Sequence, residues 1–492
     1  MDVFLGIDQG SSSSKGALIS STGEMVWDMS VPVSASFLSA TKIEQDPEEL
    51  LGSIYELISQ AQDYASKKKS LKICGSGFAF QRSGVCAWER SSGKARSKML
   101  PWRDMRTSAR IKTRGASREE LWNKASLPLS SHYSGGKISL LQEEYRDPAI
   151  LIGTLDSYIL ANLIPGSFVS EDSMAHRTML YSLESGDWDP ALCESFGVER
   201  ERLAQIEPSL RHYGKFNGIP ILASLGDQQA GLFYHRQLGF KSVLNLGTIA
   251  SLLVDTGSVL KSCPGYITSV FYSSQRDIKR HREFVVEGTT NCCGRTFIEL
   301  EERFQVRPSE IDSFCKEARG EIPIAFCPFG AISTPDWKEN VPDLITGWKD
   351  TKDIPSLTRA LMENIVFFVL EDLENLKSAE IIDPETSFLP VSGGASETAF
   401  LMQRLADCSG LKILKVASSN ATVQGAALAA LHALHGRSKL ELDLKSRVIS
   451  EYLPTNSKGI SNRFREWKEL KKRAISGDYD QTQSYQNIVK QL

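Results

Sequence analysis

The chain lacks a CxxC motif. Its nine cysteines are scattered along 492 residues, so they read as free thiols in a reducing compartment and not as a disulfide framework. Cys292 and Cys293 are adjacent, but Gly294 and the helical pattern around them mark small buried residues, not a redox pair. No apolar run approaches the length of a membrane span, and no basic segment with a cleavage site precedes the first apolar stretch. The expected location is therefore cytoplasmic. An excess of one charge is missing as well: the formal net charge of −3 leaves no basic stripe of the kind nucleic-acid binding requires. What remains is the balance of a globular chain, 41% hydrophobic and 24% charged, at a length that calls for roughly two to four domains of mixed α/β type.

The most informative stretch is Ile221 to Gly257. In it Gly226-Asp227-Gln228-Gln229 follows a short apolar run and opens a helical segment, Ala230 to Gln237, and a carboxylate just past a strand end is placed to take a proton. Asn245-Leu246-Gly247-Thr248 joins two apolar runs in the manner of a β-hairpin. Its Gly-Thr turn offers backbone N–H groups and a hydroxyl to a phosphate. The same apolar–turn–apolar unit opens the chain: Val3 to Ile7, then Asp8-Gln9-Gly10-Ser11-Ser12-Ser13-Ser14-Lys15, then Ala17 to Ile19. An isolated Ser-rich turn is more often a solvated hairpin tip. This one begins with a carboxylate and ends with a cation, which suits a loop that wraps phosphate oxygens while Asp8 holds a hydrated Mg²⁺. Two such units, half the chain apart, imply two similar halves enclosing a nucleotide, with a boundary near Gln237 to Lys241.

Elsewhere, Pro47 opens a helix with the apolar stripe Leu50, Leu51, Ile54, Leu57, Ile58 and Ala61, closed by Lys67-Lys68-Lys69. Leu71 to Gly77 and Gly84 to Trp88 read as strands around the turn Gln81-Arg82-Ser83. Trp102, beside Arg103 and Asp104, suits the wall of a sugar site, since C–H faces pack on indole; it equally suits ordinary half-buried packing. Periodicity predicts helices over Tyr133 to Glu144 and Ile150 to Leu163, a polar loop over Asp172 to Leu180, and a helix from Asn291 to Phe304. It predicts a strand at Ile322 to Cys327, a loop from Phe329 to Trp337 and a long helix from Pro355 to Lys377. A strand at Phe388 to Val391 feeds Ser392-Gly393-Gly394-Ala395-Ser396; Lys412 to Val416 is a strand, Ala421 to His435 a small-residue helix, and Arg463 to Lys472 a surface helix.

Taken in order, these segments resemble the FGGY family of carbohydrate kinases, and within it the glycerol kinases. The resemblance runs through GIDQGSSSSK, IEQDP, GFAFQRSGVCAWERSSGK, PWRDMRT, SGGK, GTLDSYIL, HRTMLYSL, GDQQAGLF, NLGTIASLL, PFG…PDW and SGGASETAFLMQRLADCSG, over nearly the full length. No one motif is specific; their order and spacing are. The resemblance implies two ribonuclease-H-like α/β domains of the actin-like ATPase type flanking a nucleotide cleft, residues 1–238 and 239–492. It implies ATP and Mg²⁺ as cofactors and transfer of the γ-phosphate to a hydroxyl of a small polyol or sugar, with homo-oligomerisation left open. Asp227 matches the catalytic base and Asp8 the Mg²⁺-associated carboxylate. Gly10, Ser11, Ser12, Ser13 and Lys15, with Gly247 and Thr248, match the two phosphate loops. Gly294, Ile298, Gly393, Gly394 and Thr398 match positions along the adenosine, and Arg82, Ser83, Trp102, His132, Asp227 and Gln228 match positions around the acceptor.

Three departures lie on the acceptor side. Glycerol kinases carry Glu where Ser83 stands, Tyr where His132 stands and Phe where Ser251 stands; Ile298 and Thr398 replace Gln and Asn on the nucleotide side. These changes predict an acceptor larger than glycerol, such as a longer polyol or a ketose. A glycerol kinase with a repacked pocket is the alternative among enzymes, and a non-catalytic nucleotide-gated sugar sensor the alternative of another class. Retention of Asp227 argues against the sensor, because binding alone needs no base. An actin- or chaperone-like ATPase shares the fold but needs no acceptor pocket.

Overall fold

The computed structural model describes residues 1–68, 70–276, 279–417, 420–436, 447–455, 460–480 and 484–489. Lys69, expected to close the first helix, lies outside them. A hydrogen-bonded sheet of 13 strands runs through the molecule. Its strands are β1 (Asp2–Gln9), β2 (Ser13–Ser20), β3 (Met25–Pro32), β4 (Lys72–Phe80), β5 (Leu210–Phe216), β6 (Ile219–Gly226) and β7 (Ser242–Leu246). They continue with β8 (Ala250–Gly257), β9 (Ile267–Arg276), β10 (Lys279–Thr290), β11 (Phe388–Ser392), β12 (Lys412–Val416) and β13 (Val448–Tyr452). The spatial order is β13-β12-β11-β7-β8-β10-β9-β5-β6-β4-β1-β2-β3.

That order is a duplication. β1, β2 and β3 form an antiparallel meander, and β4 and then β6 extend it in parallel from β1. β7, β8 and β10 form a second meander, and β11 and then β12 extend it in parallel from β7. The repeat legible at Val3 to Ile19 and Val243 to Val254 is thus a repeat of topology, and the fold is the expected α/β, ribonuclease-H-like pattern twice over. The halves join at Leu210 of β5 against Ser274 of β9. The parallel strands are covered on both faces, which is why Val3 to Ile7 reads as an unbroken apolar run and is buried throughout.

The helices that position the cleft are α1 (Pro47–Lys67), α2 (Gly135–Glu144), α3 (Asp172–His176), α4 (Asp227–Gln237) and α5 (Cys292–Phe304). They are followed by α6 (Ile354–Ser378), α7 (Ala399–Ser409), α8 (Ala421–His435) and α9 (Ile460–Ser476). Asp46 caps α1 through the Glu48 N–H and Pro47 takes its first turn, so the apolar stripe that follows is laid on the sheet. α8 is built of small residues because it touches backbone on two sides. A Cβ at Gly6 of β1 would stand 2.0 Å from Val423 O, one at Gly77 of β4 2.0 Å from Ala426 O, and one at Gly425 1.8 Å from Ala230 O of α4. Overpacking such a contact costs about 1–3 kcal/mol. α8 follows the second meander in sequence, yet it covers the strands of the first and pins α4 against them.

Several elements differ from the sequence reading. Ile150 to Leu163 is a strand, Ile150–Thr154, paired with Val85–Glu89, followed by a helix, Leu155–Leu163. Gly153, whose added Cβ would lie 2.9 Å from the Trp88 ring, marks that strand, which the apolar run alone did not separate from the helix. Asp172 to Leu180 is not a loop: Asp172 to His176 form α3, wholly buried, with Glu171 capping it from the side chain. Phe329 to Trp337 contains Gly330–Ile332, a strand paired with Lys338–Val341. α9 lies at the surface, as expected, but also buries a stripe in which Trp467 packs against Phe326 and Phe368. Its charged face hid one apolar stripe. Asp8 and Lys15, read as part of the first turn, stand in β1 and β2 directly opposite each other.

Candidate active site

β6 ends at Gly226 and α4 begins at Asp227, so the carboxylate is delivered at a strand-to-helix junction. The junction is fixed from behind: the Gly226 N–H donates to Ser173 Oγ (2.9 Å), and that hydroxyl donates to Glu171 (2.6 Å). Asp227 Oδ1 accepts from the Gln228 N–H (2.8 Å) and pairs with Arg82 Nε at 3.2 Å. A Cβ at Gly226 would meet Arg82 Cδ at 2.8 Å, so glycine there lets the arginine lie across the junction. A third of the Asp227 side chain is exposed. The walls around it raise its pKa by desolvation, and Arg82 draws it back.

Arg82 also reaches Glu287 of β10 and Gln229 of α4, each at 3.3 Å. Glu287 is buried and accepts from Arg177 and from Ser269 Oγ (2.9 Å). Burial opposes its charge, but Arg177 and Arg82 hold its pKa at about 2. The charge around the base is therefore a chain, Asp227–Arg82–Glu287–Arg177, drawn from four separate segments. Sequence reasoning named only its first two members. A single carboxylate in the apolar run of β10 was the available signal for Glu287, and Arg177 closing a supposed loop was the signal for its partner.

The two hairpin turns stand where expected. The first, Gly10 to Ser12, is held by glutamines: Gln81 Nε2 donates to Gly10 O (3.2 Å) and to Gln45 Oε1 (3.0 Å), and Gln45 Nε2 donates to Ser11 O (3.0 Å). Ser11 and Ser12 are exposed, while Ser13 and Lys15 are half-buried at the start of β2. Burial, and next the charge of Asp227, raise the Asp8 pKa to about 7, with Lys15 opposing. The second turn, Gly247 to Ile249, leans on backbone. Thr248 is exposed, and Thr248 O accepts from the Gly294 N–H (3.0 Å). A Cβ at Gly294 would lie 2.7 Å from Thr248 Cα, and one at Gly393, where φ is +94°, 2.5 Å from Leu246 O. Gly394 has open space on its side-chain face.

Among the residues expected around the acceptor, Ser83 is fully buried at φ +65°, with its hydroxyl unmatched by any protein group. The Trp102 and His132 rings lie 5.3 Å apart, both half-buried. Burial, then Lys137, Arg177 and Arg82, push the His132 pKa down to about 3, so the imidazole is neutral. Ser251 stands half-buried on β8, opposite Asn245.

A cleft of about 520 Å³ brings together Asp227, Gln228, Asn245, Gly393, Gly394 and Lys415. The turns, Gly294, Ile298, Thr398 and the aromatic wall lie outside its lining. Ile298 is 41% exposed on α5. Thr398 is buried at the start of α7, whose first N–H groups are taken by Asp312. Among the described residues no helix is long and apolar enough to cross a membrane.

Comparison with known proteins fits this geometry. The model of the FGGY family of carbohydrate kinases, N-terminal domain, matches residues 3–233, and that of its C-terminal domain matches residues 243–434. A glycerol kinase of Trichodesmium erythraeum is 28% identical over 449 residues, 87% of this chain and 88% of its own. Plasmodium falciparum glycerol kinase with ADP superposes with a TM-score of 0.86 at 22% identity, covering 98% of this chain and 99% of its own. A xylulose kinase from Lactobacillus acidophilus superposes with a TM-score of 0.80 at 18% identity, covering 96% and 98%.

Proposed function

The chain belongs to the FGGY family of carbohydrate kinases, and on that premise we propose how its cleft divides the work and which acceptor it takes. It is an ATP-dependent phosphotransferase that acts on a hydroxyl of a sugar or polyol. In our reading residues 1–238 supply the acceptor site and the first phosphate turn, and residues 239–492 the second turn and the adenosine site. The observation that carries the mechanism is Asp227 at its strand–helix junction, open to the cleft on one side and paired with Arg82 on the other.

Asp227 accepts the proton of the attacking hydroxyl, and Arg82 keeps the carboxylate ionised and oriented for that step. Positioning and charge neutralisation contribute more than the base, because phosphoryl transfer is loose. The backbone of Gly10 to Ser13 and of Gly247 and Thr248 receives the phosphates, with Lys15 behind the first turn. Gly294, Ile298, Gly393, Gly394 and Thr398 line the nucleoside, and the open face of Gly394 suits a close approach.

The donor set fits Mg²⁺. Burial and, next, the charge of Asp227 raise the Asp8 pKa to about 7, a penalty on the carboxylate that a divalent cation relieves. Such an ion is held by one or two carboxylates together with substrate phosphates. Asp8 would hold it. When bound, Mg²⁺ neutralises charge on the phosphate oxygens of ATP.

The acceptor is larger than glycerol, a longer polyol or a ketose. Ser83 cannot hold two hydroxyls as a carboxylate does, and its own buried hydroxyl has no protein partner. Neutral His132 and Trp102 offer an aromatic wall to sugar C–H faces, and Gln228 stands beside the base. The solved neighbours include glycerol, gluconate and xylulose kinases, so the choice of acceptor rests on the pocket's own residues. We assign the protein to the cytoplasm, a reading the nine free cysteines support. Incubating the protein with Mg-ATP and a panel of polyols and sugars, with mass spectrometry of the products, tests the reading. A phosphorylated acceptor of four or more carbons is expected. Nucleotide binding with no product from any acceptor would make the protein a sensor.

A further inference from the structure

The SGGK segment at the start of α2 has no part in the chemistry above, yet four loops of the acceptor side converge on it. Lys137 is fully buried. Its ammonium donates to Ser83 O (3.1 Å), Pro101 O (2.8 Å) and His132 O (3.0 Å). Each carbonyl belongs to, or directly precedes, a residue assigned to the acceptor: Ser83 follows Arg82, Pro101 precedes Trp102, and His132 is the third wall. Among the described residues no carboxylate pairs with this lysine, whose three N–H groups are all spent on backbone. A neutral amine has only two N–H donors, so three such bonds call for the ammonium. Burial drives the Lys137 pKa down to about 7, with Asp104 opposing and Arg106 adding to the fall.

The two glycines before it admit the other loops. A Cβ at Gly135 would lie 2.6 Å from Thr178 O, next to Arg177, and one at Gly136 2.5 Å from Ile111 Cγ2 and 3.0 Å from Thr107 Oγ1. The first turn of α2 is therefore where the segments carrying Arg82–Ser83, Trp102, His132 and Arg177 touch.

We propose that Lys137 is the positioning residue of the acceptor pocket, a buried ammonium that holds the three acceptor-bearing loops in register and leaves the nucleotide side untouched. This rests on the functional reading above. Lys137 touches neither substrate; it acts through the carbonyls, and hence through where Arg82, Ser83, Trp102 and His132 stand. Misplacing such groups by about 1 Å costs roughly 10²-fold in rate.

The test is Lys137→Ala, assayed with the best acceptor found for the wild type. The expected result is a loss of roughly 10²-fold in acceptor kcat/KM, chiefly through KM, with nucleotide affinity and acceptor-independent ATP hydrolysis unchanged. Added n-propylammonium should restore part of the loss, and n-propanol should not. Unchanged acceptor kcat/KM, an equal loss on the nucleotide side, or equal rescue by propanol would each overturn the proposal. If the alanine variant does not fold, Lys137→Arg, which keeps the cation but displaces the loops, is expected to raise acceptor KM alone. A wild-type KM in that variant overturns the proposal, and so does failure of both variants to fold, which would make Lys137 a residue of the fold at large. If the wild type phosphorylates no acceptor, the functional reading falls and this inference with it. If it does and both variants match it, only the clamp is wrong.

Discussion

The two hairpin turns have the same topology and are supported by opposite means. The first is braced by side chains: Gln81, Gln45 and Gln9 form a buried amide network on the carbonyls of Gly10 and Ser11. The second is braced by missing side chains, with Gly294 and Gly393 bringing α5 and the end of β11 against Thr248 and Leu246. Gln81 adjoins Arg82, so the first turn is coupled to the acceptor loop. Gly294 lies on α5, so the second is coupled to the helix proposed to line the nucleoside. Disturbing one turn should therefore be felt at both substrates, and disturbing the other at ATP alone.

The sharpest cut separates the base from both turns. Asp227→Asn should lower kcat by about 10²–10⁴-fold with ATP affinity intact, since the residue faces the acceptor; steady-state kinetics and a nucleotide-binding assay check both halves. Next comes Gly294→Ala. Its methyl cannot coexist with Thr248 Cα at 2.7 Å, so kcat/KM for ATP should fall by roughly 10²-fold while acceptor KM holds. A defect shared with the acceptor would break the contrast between the turns. Gln81→Leu should lose about 1–3 kcal/mol of stability by leaving buried amide and carbonyl groups unmatched, and should weaken both substrates together. Chemical denaturation and paired KM values read it. The smallest effect is on titration. Desolvation raises the Asp227 pKa and Arg82 partly offsets it, so activity falls as pH drops through a value raised from that of an ordinary aspartate. Arg82→Met removes the lowering charge and should move that acid limb to higher pH in a kcat/KM profile.

Much of this was legible in the chain. Gly and Ser punctuate both turns, and a short apolar run ending in Gly226-Asp227 before a helical segment announces the junction. The rest of the charge chain was not legible, because Glu287 lies 205 residues from Arg82 and 110 from Arg177 and meets both only through the fold. Lys137 reads as any lysine in the first turn of a helix until the three carbonyls around it are seen. The buried stripe of α9 was hidden for a related reason: the helix's mean character is polar, and only the aromatic cluster around Trp467 reveals it. The strand Ile150–Thr154 failed on length, since five residues running straight into a helix carry no period of their own.

On the proposed reading the acceptor pocket is where this chain departs from the glycerol-kinase pattern, and restoring that pattern should reverse the difference. Ser83→Glu, His132→Tyr and Ser251→Phe combined should shift preference toward glycerol, because a carboxylate taking two hydroxyls in a dry pocket penalises any left unmatched by about 1–3 kcal/mol each.

The most direct test needs no variant. With Mg-ATP saturating, kcat/KM of the wild-type protein should be measured side by side for glycerol, erythritol, xylulose and ribulose. The expected ranking places at least one of the three longer acceptors above glycerol; glycerol ahead of all three would contradict the reading of the Ser83 and His132 pocket.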